Sequence, residues 1–143
     1  MSGYQAYRGN QINTAGPLGL IILSYDALYR SLGRSRHAIH GGDLAAEADH
    51  TARALEAIIE LAGSLDFEAG GEVAQDLSVL YAYMMKRLSD GMCSCSTDAV
   101  DEVMNLVKTL REGWAGLSEQ QQASAKPTAA PRHIATAYAA AYG

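Results

Sequence analysis

Three places in the 143-residue chain set reactive side chains at spacings that chemistry uses. Glu47-Ala48-Asp49-His50 is a Glu-x-x-His, and on a helix that spacing puts a carboxylate and an imidazole on one face. Dinuclear metal bundles need this motif on two helices, with inward carboxylates from two more. It occurs once here, so a solvated charged face is expected. A helix-surface histidine can also accept a phosphoryl group, but Thr51-Ala52-Arg53-Ala54 follows His50 without a Lys-Gly pair, and a plain surface histidine is expected. Cys93-Ser94-Cys95 offers two thiolates where a structural metal takes four ligands, and no second cysteine pair exists. A reduced loop is expected. His37 and His40 stand three apart near the end of a predicted helix, where positive charge complements the helix dipole without any metal. No glycine-rich phosphate loop follows a strand, and no Ser-His-Asp or Cys-His set assembles. The residues argue for no enzyme, metal or cofactor.

The elements that would position these residues are helices. The composition is 48% hydrophobic, much of it alanine, with few β-branched or aromatic runs, which favours helix over sheet. Residues 1–14 are polar apart from Tyr4, Tyr7 and Ile12 and are expected to form a mobile N-terminal arm. Thr14-Ala15-Gly16-Pro17 then opens helix 1, with Pro17 suited to a first turn. Its stripe is Ile21, Tyr25, Leu28, Leu32 and Ile39, near the 3.6-residue period. Gly41-Gly42 ends it and Asp43 can cap helix 2. Helix 2 carries Leu44, Ala48, Thr51, Leu55, Ile58, Ala62 and Leu65. Gly70-Gly71 divides it from helix 3, whose expected core residues are Val73, Leu77, Leu80, Met84 and Leu88. Ser94 to Asp98 is a polar linker, and Thr97 or Asp98 can cap helix 4, with Val100, Val103, Val107, Leu110, Trp114 and Leu117. Short connections make these helices antiparallel neighbours. The expected fold is all-α, an up-and-down four-helix bundle over residues 15–119. Residues 120–143 turn to Gln, Ala, Ser, Pro and Thr and read as a low-complexity tail, with Ile134, Tyr138 and Tyr142 able to form a short terminal helix on an apolar surface.

Charge and length exclude other classes. Net charge is −5 with no basic cluster, so nucleic acid is not an expected partner. No run of 18 apolar residues occurs, so membrane insertion is not expected. The N-terminus lacks the pattern of a signal peptide, and the two close cysteines cannot staple a fold, which makes the cytoplasm the expected compartment. What the sequence has in excess is apolar surface. Leu18, Leu20, Ile22, Leu23 and Tyr29 widen the stripe of helix 1, and Tyr81, Tyr83 and Met85 flank that of helix 3. A bundle needs one stripe per helix, and Tyr and Met suit adaptable binding faces. A surface of helices 1 and 3, with the arm nearby, is the expected grip.

Three segments, in this order and spacing, carry a resemblance. They are Tyr4 through Thr14-Ala15-Gly16-Pro17 with Leu20-Ile21-Ile22-Leu23 and Tyr25-Asp26; Gly42-Asp43-Leu44; and the run from Ser64 to Leu88 followed by Leu110-Arg111-Glu112-Gly113-Trp114. From about Tyr4 to about Leu117 the chain resembles the flagellar secretion chaperones of the FliS family. The resemblance implies a cytoplasmic helical bundle that binds the disordered C-terminal segment of flagellin, prevents premature polymerisation and assists delivery to the flagellar export gate without ATP or another cofactor. The flagellin-binding set it suggests is Tyr4, Tyr7, Ile12, Leu18, Ile22, Tyr25, Tyr29, Tyr81, Tyr83 and Met85. The arm is expected to cover part of the groove until flagellin displaces it. The rival reading is a helical adaptor for another flagellar regulator, an export-gate protein or a co-chaperone.

Overall fold

The computed structural model describes the backbone of residues 2–123 and the side chains of residues 19–116. Four helices follow one another: α1 Ser2–His40, α2 Leu44–Gly63, α3 Phe67–Gly91 and α4 Asp98–Ala123. α1 packs on α2 and α4, and α3 packs on the same two helices, so the four close a ring in up-and-down order. Among the described residues no strand occurs. The expected tail residues Ile134, Tyr138 and Tyr142 lie outside the described residues.

The start of α1 differs from expectation. The segment expected as an arm ahead of helix 1 is continuous with it, because the helix begins at Ser2 and carries Pro17 in its interior. A proline inside a helix forfeits one backbone hydrogen bond and crowds the residue before it. That residue is Gly16, which has no Cβ to meet the ring. At the other end of the chain α4 runs past the expected boundary at residue 119.

The link between α1 and α2 is only three residues, Gly41-Gly42-Asp43. Gly42 adopts φ +68, and its N–H bonds the Ile39 carbonyl at 3.1 Å while the Asp43 N–H bonds that of Ala38 at 3.0 Å. This 6→1 and 5→2 pair is a Schellman ending. Asp43 then starts the next helix, its Oδ1 accepting from the Ala46 N–H at 3.0 Å. One residue therefore closes α1 and opens α2. Asp66 caps the start of α3, its Oδ1 accepting from the Ala69 N–H at 2.9 Å, ahead of the Gly70-Gly71 pair. The pair breaks the helical geometry of α3 at Gly71, at φ 50 and ψ −128, a conformation that a Cβ would oppose.

The core is built from one stripe per helix. α1 contributes Ile21, Tyr25, Leu28, Leu32 and Ala38; α3 Ala74, Leu77, Tyr81, Met84 and Leu88; α4 Val100, Val103, Met104, Val107 and Trp114. Two buried polar pairs fix the helices against one another. The Tyr25 and Tyr81 hydroxyls share a hydrogen bond across the bundle from α1 to α3, and Ser35 Oγ meets Thr51 Oγ1 at 2.8 Å between α1 and α2. A satisfied polar pair holds register because any slip would leave buried groups unpaired. α3 and α4 lie close at Gly91, where an added Cβ would stand 2.5 Å from the Ala99 Cβ.

Candidate functional site: an apolar flank of α2 facing α3

On α2 the buried residues are Glu47, Thr51, Ala54, Ile58 and Leu61. Each residue turns a helix by about 100°, so Leu44, Ala48, Leu55, Ile59 and Ala62 form a second row, turned roughly 80° from the first. This row is not core. Leu44 is 54% exposed and Ile59 57%, Ala48 is exposed, and only Leu55 and Ala62 lean on the core. The sequence stripe expected for helix 2 thus mixed two rows. Leu44 and Ala48 face outward, while Glu47, expected on a solvated face, is only 3% exposed. Its Oε2 accepts the Cys93 N–H at 3.1 Å and so anchors the α3–α4 loop, where Cys93 and Cys95 are free, exposed and both at positive φ.

The direction of the row follows from its neighbours. Ala46 and His50, on the other flank of α2, line a cavity shared with α1. The apolar row therefore points away from α1, toward α3, the other neighbour of α2. On α3, Tyr83 and Arg87 reach α4: Tyr83 donates to both carboxylate oxygens of Glu102, at 3.0 Å to Oε2, and Arg87 Nε donates to the same oxygen at 3.3 Å. The opposite flank of α3, with Ser78, Ala82 and Met85, borders α2. Of these, Ala82 is exposed and Met85 packs partly against the core.

Charge is distributed to match. Among the described residues every ion pair between helices runs to α4: Arg36–Asp101 at 3.1 Å, Arg87–Glu102 at 3.3 Å and Arg111–Asp26 at 2.7 Å. None joins α2 to α3. Five of the six large exposed apolar side chains, Leu44, Ile59, Phe67, Val79 and Tyr83, sit on those two helices, and Tyr29 alone on α1. An exposed apolar row of this kind is a candidate contact surface.

The structure divides the residues expected to bind. Tyr25 and Tyr81 have no exposed surface, so in this structure they are part of the core. A tyrosine looks like surface in sequence because of its hydroxyl, but here each hydroxyl has the other as a buried partner. Ile22 and Met85 are half-buried against the core. Tyr29 is 38% and Tyr83 47% exposed. The side chains of Tyr4, Tyr7, Ile12 and Leu18 lie outside the described ones. The stripe expected along helix 2 includes Leu44 and does not single out Ile59; both stand on the exposed second flank of that helix. Among the described residues no group of three or more His, Cys, Asp or Glu is placed to hold a metal, and no helix is long and apolar enough to cross a membrane.

Comparison with known proteins agrees with this architecture. The profile of the family described as "Flagellar protein FliS" matches residues 1–121. The flagellar secretion chaperone FliS of Campylobacter jejuni is 36% identical over 111 residues, covering 78% of this chain and 87% of that protein. FliS of Salmonella typhimurium is 33% identical over 122 residues, covering 82% and 90%. The flagellar secretion chaperone FliSB of Pseudomonas aeruginosa is 33% identical over 108 residues, covering 76% and 86%. These relatives are named for a chaperone's role and not for a catalysed reaction. A four-helix bundle with spare apolar surface, matched over nearly its whole described length, therefore belongs to the FliS family of flagellar secretion chaperones.

Proposed function

We propose that the protein is a flagellin-specific export chaperone of the cytoplasm, and that the α2–α3 seam is where the disordered C-terminal segment of flagellin docks. The observation that carries this reading is the row Leu44, Ala48, Leu55, Ile59 and Ala62, apolar, partly exposed and free of interhelical ion pairs. A segment that packs helix on helix in a filament must carry an apolar face of its own. Laid into this seam as a helix, it covers the row and loses its own tendency to self-associate. Each Leu-sized anchor buried contributes roughly 1.5–3 kcal/mol, against about 2–5 kcal/mol or more for ordering the segment. Three or four anchors therefore give useful affinity, and contacts made serially along a segment can be undone serially at the export apparatus without a chemical step.

The test is a titration of the full-length protein with a peptide of the flagellin C-terminal segment, followed by calorimetry and circular dichroism. Saturable binding with a gain in helicity is expected. Ile59→Glu should weaken binding about tenfold or more with little change in thermal stability, because Ile59 is more than half exposed. An absence of saturable binding, or full affinity in the Ile59→Glu and Leu44→Glu variants together, overturns the reading.

A further inference from the structure

The opposite flank of α2 holds a second feature, unrelated to the apolar seam. Between α1 and α2 lies a cavity of about 560 Å³, within the range of sites that hold several ligand side chains. Its α1 wall carries Arg30, Arg34 and His37, and its α2 wall Ala46 and His50. Arg30 and Arg34 are both exposed and, unlike Arg36, Arg53, Arg87 and Arg111, neither has a carboxylate partner among the described residues. His50 Nδ1 is buried with no hydrogen-bond partner. The acids nearby are committed. Asp43, on the rim, caps Ala46; Glu47 holds the Cys93 N–H; Asp49 pairs with Arg53 at 3.4 Å. On a chain of net charge −5, this is a concave site with free donors and few free acceptors.

We infer that this α1–α2 cavity binds an acidic peptide segment through two of its side-chain carboxylates, one on Arg30 and one on Arg34. A guanidinium grips a carboxylate with two parallel N–H donors. The spacing selects a chain over a lone ion. Residues four apart on α1 are separated by about 6 Å along its axis, close to the roughly 6.6 Å between alternate residues of an extended peptide. His37 and His50 lie within the same walls and add donors when protonated, and Gly33, Ala38 and Ala46 keep the floor low enough for a backbone to approach.

The experiment is a nuclear magnetic resonance titration of the full-length, isotope-labelled protein with three probes: an acetylated and amidated hexaglutamate, an alanine hexamer with a free C-terminus, and inorganic phosphate. Hexaglutamate should shift the amides around residues 30–38 and 46–50. Its affinity should fall about tenfold or more in R30A/R34A, fall less in R30K/R34K, and decline with added salt. Flagellin-peptide binding at the α2–α3 seam should be the same in both variants, which separates failure here from failure there. Tighter binding of phosphate or of the free C-terminus, undiminished hexaglutamate binding in R30A/R34A, or no shift at these amides each overturns the inference.

Discussion

Tyr83 joins α3 to α4 by donating to the Glu102 carboxylate, and the bond biases both titrations. Glu102 is held below the usual carboxylate range, chiefly by this bond with help from Arg87, against the opposing effect of desolvation. The Tyr83 phenol is raised, again chiefly by Glu102. A lowered carboxylate contributes stability that is present above its ordinary value and is lost as pH falls through the folded one. A raised phenol contributes stability that is present below its ordinary value, about 10, and is lost as pH rises through the folded one. The link is therefore intact across neutral pH and fails at both extremes. In Tyr83→Phe the titration midpoint of Glu102, followed by carboxyl carbon resonance, should rise toward the ordinary carboxylate range; an unmoved midpoint would assign the effect to Arg87 alone. Partners of this kind were not legible in the sequence. Tyr81 and Tyr25 lie 56 positions apart, and no local pattern says that two hydroxyls will meet inside a bundle.

At the level of helices, local signals served well. Gly42 and Asp43 announced a helix end and a helix start in adjacent positions, and the structure uses them so. Helix 4 was legible because Val100, Val103, Val107 and Trp114 are bulky and nearly all on one stripe. Helix 2 was not, because its alanines and leucines cover two adjoining rows, and periodicity cannot say which row faces inward when both are apolar. The division expected at Gly70-Gly71 is present as the break in helical geometry at Gly71, but a first turn capped by Asp66 precedes it, a quieter signal than two glycines. The close approach of α3 to α4 gives a prediction at this scale. Gly91→Ala would bring its Cβ to 2.5 Å from that of Ala99, forcing the two helix ends apart at a cost of about 1–3 kcal/mol. A lowered denaturation midpoint with an unchanged slope is expected; wild-type stability would show that the ends can part freely.

Among the described residues, interhelical ion pairs and the exposed apolar row of α2 occupy different sides. The interhelical ion pairs gather on α4 and the uncovered apolar row lies between α2 and α3. Added sodium chloride screens exposed pairs but does not weaken apolar contacts. The melting temperature of the free protein should therefore slip slightly between low and moderate salt while flagellin-peptide affinity holds; a parallel loss of both would mean that the client is held by charge. The junction at Asp43 has its own consequence. Asp43 serves α1 through its backbone N–H and α2 through its side chain. Asp43→Ala would therefore unfasten the first turn of α2 and leave the ending of α1 in place. One side chain at that corner decides how firmly the second helix begins.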